Sequence, residues 1–243
     1  MRWDIEYSPT NFDDMALYPQ LREYLSYYYE SGNIPHVIFH GDTGTGKSTS
    51  AFILARVIKP EFSQLNVFDC AGEKSAKSVE GYITSLKGAT GALTRFMDNT
   101  HQRRPPYVFI FDEFHNIDKK HQTMLNLVLE NEAANIPCFF CVNNIEKVAE
   151  PIQSRARILR FDVAAVSNDK LVMRDVGMTA NEWKEELRRV GRIITKKVGC
   201  DIDEKIEDEV LSNDVNCVYA RKFIFSLGER YEMKMFRAKS KEK

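Results

Sequence analysis

The 243-residue chain is 43% hydrophobic and carries 34 Lys+Arg against 35 Asp+Glu, a net charge of -1. That is enough for one sizeable core, or one core plus a small satellite, and the composition excludes fibrous and disordered classes. It also excludes a globally cationic nucleic-acid binder, so any such contact has to come from a local basic surface.

At the N-terminus, MRWDIEYSPTNFDD has neither a basic start followed by an apolar core nor a small-residue cleavage site, and no apolar run in the chain nears the roughly 18 residues that span a bilayer. A soluble, cytoplasmic protein without a membrane partner is expected. YLSYYYE, residues 24–30, sets Tyr24, Tyr27 and Tyr28 at helical spacing, which predicts a packed N-terminal helix in preference to a base-stacking platform.

From there, short apolar runs alternate with helical patterns, the signature of a parallel sheet with crossover helices. Five strands are predicted, at Val37–Phe39, Leu65–Cys70, Tyr107–Phe111, Cys138–Val142 and Ile158–Phe161, with helices at Ser48–Ile58, Val79–Met97 and His121–Glu132. Pattern and order predict an α/β domain over residues 1–164. After Phe161 the strand signals stop. Thr179 with Glu182 reads as a capping box, Gly199 as a stop, and Asp201 with Glu204 as a second start. A small helical domain is therefore expected over 165–236, followed by a basic, frayed tail at 237–243.

Between the first strand and its helix stands GDTGTGKS, which matches the phosphate-loop pattern G-x-x-x-x-G-K-[ST] in the right context. Gly41, Gly44 and Gly46 let the backbone amides of Gly41, Asp42, Thr43, Gly44, Thr45, Gly46, Lys47, Ser48 and Thr49 turn toward phosphate oxygens, aided by the positive end of the following helix. Lys47 supplies a point charge for the β and γ phosphates, and the Ser48 hydroxyl suits a Mg²⁺ shell. ATP and Mg²⁺ are the implied ligands.

The third strand ends in Asp112 and Glu113. Alone, two acids after a strand are equally a solvated loop. With a phosphate loop upstream, Asp112 suits Mg²⁺ and Glu113 suits a base for the attacking water, which implies hydrolysis. Asn143 closes the next strand, where a neutral amide can reach both the lytic water and the γ phosphate, or simply end a strand. The five cysteines are an odd, scattered set, and Cys138 and Cys141 lie in the apolar run PCFFCV with no second Cys/His pair nearby, so they read as core thiols.

With these motifs in place, the chain resembles the AAA+ P-loop ATPases, and specifically the small subunits of sliding-clamp loaders of the replication factor C and phage type. WDIEYSPTNFDDM resembles the family's W-x-E-K-Y-R-P-x-x-F-D-D-I, IPHVIFHGDTGTGKS its L-P-H-L-L-F-x-G-P-P-G-T-G-K-T, and NNIEKVAEPIQSRARILRF its N-Y-x-x-K-I-I-E-P-I-x-S-R-C-x-x-x-R-F. The likeness covers roughly residues 3–161. It implies that Arg155 completes the ATP site of a neighbouring subunit in trans, that Asn143 senses nucleotide, and that Arg221 in NCVYARKFIFSL reports the γ phosphate to a helical lid. Without the likeness, Arg155 reads as a surface cation beside Glu150, and Arg221 with Lys222 as a solvated helix face.

Tyr7 and Pro9 fall where the family lines its adenine pocket, with Ser8 replacing the arginine between them. His115 replaces the last acid of D-E-A-D, at a position to which no chemistry is assigned. Lys74 and Lys77 in GEKSAKS fall in the region that tracks duplex phosphates without reading sequence. The partners implied are other AAA+ subunits in a ring, a sliding clamp and primer-template DNA. The family continues into a collar domain for which the 243 residues leave no room, so ring stoichiometry stays open. The same ATP chemistry also suits a helicase loader or initiator, or an ATP-switched adaptor with little turnover.

Overall fold

A computed structural model describes residues 2–62, 67–71, 79–88, 107–131, 136–167, 170–200, 204–213 and 219–241, and divides the chain into two compact units. One comprises Glu23–Asp42 and Lys47–Phe161. Its centre is a parallel sheet of β1 (Val37–His40), β2 (Val67–Asp69), β3 (Phe109–Asp112), β4 (Cys138–Val142) and β5 (Arg157–Arg160), in the spatial order β2-β3-β4-β1-β5. Ile38 lies opposite Phe140 on one side and Ile158 on the other, so β1 is the inner strand between β4 and β5.

Helix α2 (Pro19–Ser31) leads into β1, and because parallel neighbours need crossovers, helices supply them: α3 (Lys47–Ile58), α4 over 79–88, α5 (Lys119–Asn131) and α6 (Glu150–Arg155). Strand β4 reads CFFCV and is buried along its whole length, as a strand covered on both faces must be. Cys138 and Cys141 are thus core thiols, and burial pushes both well above the ordinary thiol range. The rings of Phe111, Phe114 and Phe140 form the core beneath the carboxyl ends of the strands, with Phe111 and Phe140 stacked at 5.3 Å and Phe114 4.8 Å from Phe140.

All five predicted strands are present, with ends displaced by up to two residues wherever both ends are described. In α2 the buried stripe is Leu21, Leu25 and Tyr28. Tyr27 is 56% exposed, contrary to the packing expected of it, because it falls off the i, i+4, i+7 row. Tyr24 lies under the Arg157 guanidinium, 4.6 Å from ring centroid to cation.

The other unit comprises Met1–Arg22, Thr43–Gly46 and Asp162–Lys243. It holds α1 (Trp3–Glu6), an antiparallel pair β6 (Ala164–Ser167) and β7 (Lys170–Met173), α7 (Ala180–Val198), α8 (Glu204–Asn213) and α9 (Ala220–Lys241). The β6–β7 pair corrects the expectation of a purely helical region after Phe161. AAVS and KLVM are four-residue runs whose short apolar alternation carries little signal until each satisfies the other's backbone, Ala164 opposite Met173 and Ser167 opposite Lys170. The expected cap of α7 is present in full: Thr179 Oγ1 accepts from the Glu182 amide, the Glu182 carboxylate accepts from the Thr179 amide, and Gly199 closes the helix at φ 71°. Helix α9 runs through Lys241, well into the stretch read as a tail.

The N-terminal segment belongs to this unit, and charge holds it there. Glu186 on α7 accepts from the Leu17 amide and from the guanidiniums of Arg22 and Arg189, while Arg189 also donates to the carbonyls of Asp13 and Met15. Burial opposes ionisation of Glu186, yet the hydrogen bonds and charge of Arg189 and Arg22 and the Leu17 amide hold its carboxyl below the ordinary range. Among the described residues, no helix is long and apolar enough to cross a membrane.

Candidate nucleotide site

The loop between β1 and α3 has the backbone that its glycines predict. Gly44 at φ 85° and Gly46 at φ 101° occupy conformations that a side chain would strain. A Cβ on Gly46 would lie 2.6 Å from the Met15 methyl, and one on Gly44 3.3 Å from Arg221 Cβ. Lys47, the first residue of α3, is buried and its ammonium donates to the carbonyls of Gly41 at 2.6 Å and Asp42 at 2.7 Å. The cation is thereby tied to the loop that it serves.

One residue on, Ser48 Oγ donates to both carboxylate oxygens of Asp112, at 3.0 and 3.2 Å. Asp112 ends β3, so the strand and the loop present two hard oxygen donors side by side, the donor chemistry Mg²⁺ takes alongside water and phosphate. Beneath them the Cys141 thiol is buried and kept protonated by that burial and by the charge of Asp112.

Glu113 follows in a left-handed conformation, φ 52° and ψ 37°, the one non-glycine residue with positive φ among the described residues. Such a backbone costs roughly 1–3 kcal/mol and persists only where the surroundings enforce it. Its carboxylate accepts from Asn143 Nδ2 at 3.1 Å and lies 3.2 Å from His115 Nε2. Asn143, just past β4, is thus brought to Glu113. The buried Oδ1 of Asn143 has no hydrogen-bond partner among the described residues. A water molecule or phosphate oxygen near the Asn143–Glu113 pair would meet a donor and a base together.

Arg155 is the last residue of α6. Its guanidinium donates to the Pro151 carbonyl at 2.8 Å and pairs with Glu130 of α5 at 2.9 Å, so the partner is Glu130 and not Glu150. Arg221, second residue of α9, is exposed, and its backbone amide donates to the Gly44 carbonyl at 3.3 Å. Tyr7 caps α1 and packs edge-on against Trp3 at 6.1 Å, while Pro9 is half-buried. Lys74 and Lys77 lie outside the described residues. His115, a position to which the sequence assigns no chemistry, lies against both Asn143 and Glu113; its signal was the exchange of an acid for an imidazole two residues after Glu113.

Residues 37–163 match the family described as "ATPase family associated with various cellular activities (AAA)". Among curated proteins, the chain is 30% identical over 161 residues to a replication factor C small subunit 2 of Pyrobaculum islandicum, covering 66% of this chain and 48% of the relative. It is 28% identical over 170 residues to the sliding-clamp-loader large subunit of Escherichia phage RB69, covering 69% and 48%. Replication factor C subunit 4 of Encephalitozoon cuniculi is 31% identical over 157 residues, covering 65% and 48%. The chain therefore spans about half the length of these relatives. Among solved structures, a proline-to-glycine mutant of Thermotoga maritima RuvB covers 95% of this chain and 68% of its own, with a TM-score of 0.60 at 17% identity, a likeness of fold alone.

Proposed function

Because the chain belongs to the AAA family of ATPases, we propose that it works as an ATP-hydrolysing subunit of a sliding-clamp loader. ATP binding would drive the opening and loading of a clamp on primer-template DNA, and hydrolysis its release. The likeness to replication factor C and phage clamp-loader subunits supports this partner class. In that assembly the phosphate loop holds the triphosphate, and Lys47 neutralises its β and γ phosphates. Ser48 and Asp112 hold Mg²⁺, which offsets charge on the phosphates when bound. Glu113 takes the proton from the attacking water while Asn143 orients that water.

The observation that carries the oligomeric reading is the state of Arg155. Both of its described bonds go to α5 and α6, none to its own phosphate loop, and the half-exposed pair with Glu130 is worth under about 1 kcal/mol. A neighbour's γ phosphate outcompetes so weak a tether, and a guanidinium arriving there is worth about 10³ to 10⁵ in rate. Arg221 and Lys222 sit in the first turn of α9, where a cation opposes the helix dipole unless an anion offsets it. That supports Arg221 as the γ-phosphate reader of a lid spanning 165–236. Tyr7 and Pro9 would line the adenine pocket, and Lys74 and Lys77 would touch duplex phosphates.

The test mixes two inactive copies. An Arg155→Ala copy and a Lys47→Ala copy, each dead alone, regain part of the wild-type turnover when combined if sites are shared. Mixtures that associate yet stay dead refute the shared site. If turnover also fails to rise with clamp and primed template, the clamp-loader assignment falls.

A further inference from the structure

We propose that His115 is a positioning residue for hydrolysis: its imidazole holds the Glu113 carboxylate through one nitrogen and the Asn143 backbone through the other, making base and amide one rigid group. The inference rests on the reading of Glu113 as the base, and goes beyond it by assigning a function to the position at which the resembled D-E-A-D motif ends in an acid.

Geometry dictates which nitrogen does what. The Asn143 amide N–H points at His115 Nδ1, 3.3 Å away, so Nδ1 accepts. An imidazole accepting at Nδ1 carries its proton on Nε2, and Nε2 lies 3.2 Å from Glu113 Oε2. Asn143 Nδ2 donates to the same oxygen at 3.1 Å, against 3.5 Å to Oε1. Three residues on two strands' ends therefore close a triangle. Asn143 Nδ2 donates to Oε2 and His115 Nε2 stands against the same oxygen, so Oε1 is left as the freer oxygen to receive a proton from water.

The turn after β3 is built to hold this arrangement. Phe114 is fully buried against Phe111 and Phe140, so the residues on either side of it, Glu113 and His115, return to the same edge of the core. Asn116 closes the turn by donating through its amide and its side chain to the Glu113 carbonyl, at 3.0 and 3.1 Å. The left-handed backbone of Glu113 is the strain that these contacts hold in place. Burial lowers the His115 pKa; Glu113 and Asp112 oppose that and Lys147 and Lys47 assist it, so the ring is neutral near pH 7. An acid at 115 could accept from the Asn143 amide but could not face Glu113. Ionised, it has no proton to donate and repels Glu113.

Two measurements test this. Side-chain ¹⁵N spectra of the full chain should show His115 as the Nε2–H tautomer, with its ring shifts moved by Glu113→Gln; an Nδ1–H tautomer overturns the proposal. In steady-state kinetics on the associated protein, His115→Ala should lower kcat about 10- to 100-fold with ATP affinity unchanged. His115→Gln, which keeps a donor and an acceptor, should recover part of that. Wild-type kcat in His115→Ala, or equal losses in both variants with lowered melting temperatures, overturns the role. If Glu113→Gln itself keeps full turnover, it is the base assignment that fails, which is a separate result.

Discussion

Ser48 Oγ donates to both oxygens of Asp112, so the first turn of α3 and the end of β3 are joined through the two groups best suited to a divalent cation. Asp112→Ala should leave the fold intact and remove several kcal/mol of transition-state stabilisation, a loss of more than ~100-fold in turnover. The same loss should follow removal of Mg²⁺ with a chelator in the wild type. Turnover that persists in the chelated wild type refutes the assignment of this pair.

Glu113→Gln keeps the hydrogen-bonding shape of the side chain and removes its basicity. ATP should bind as in the wild type while turnover falls about 10²- to 10⁴-fold. An adaptor whose switching depends on binding alone would show no change in output, so the variant also separates an enzyme from an ATP-switched scaffold.

Glu130→Gln tests the resting tether of Arg155. The pair is half-exposed, so the melting temperature should hardly move, with a change under about 1 kcal/mol. Turnover of the assembled protein should be unchanged or slightly raised, since the guanidinium is released sooner. Losses as large as those of Arg155→Ala would mean that Glu130 shapes the site instead of competing for the arginine.

His36 offers a pH test. Burial lowers its pKa from 6.5 to about 4, and its Nδ1 accepts from the Cys138 amide at 3.1 Å. The unfolded chain takes up this proton below about pH 6.5 and the folded chain only near pH 4, so stability is present at neutral pH and is lost as pH falls across that window. The loss is roughly 3 kcal/mol once complete. His36→Gln should flatten this part of the melting-temperature profile. An unchanged profile removes His36 as its source.

Gly228 in α9 faces Trp3, whose Cγ would stand 2.9 Å from an added Cβ. Alanine gains up to about 1 kcal/mol in helix propensity, but overpacking against a buried indole costs about 1–3 kcal/mol. Gly228→Ala should therefore melt at a lower temperature than the wild type, and a higher melting point would show that α1 yields.

Much of the sheet and the phosphate loop was legible because both are local: CFFCV is one buried strand, and GDTGTGKS states its own backbone needs. Asp112 and Glu113 were legible by position at the end of an apolar strand. Contacts between distant segments were not. Glu130 meets Arg155 only because α5 packs on α6, and Glu186 meets Arg22 only because the first residues fold onto α7. No role for His115 was legible because its partners are set by the backward turn at Glu113, a conformation that no residue type at 113 announces.

One backbone hydrogen bond, from the Arg221 amide to the Gly44 carbonyl, sets the crest of the glycine loop at the very root of the 22-residue helix α9. A helix of that length is about 33 Å long. A tilt of only about 5° at that fulcrum would sweep the far end through roughly 3 Å by simple leverage, a displacement that a spin-label distance measurement can read.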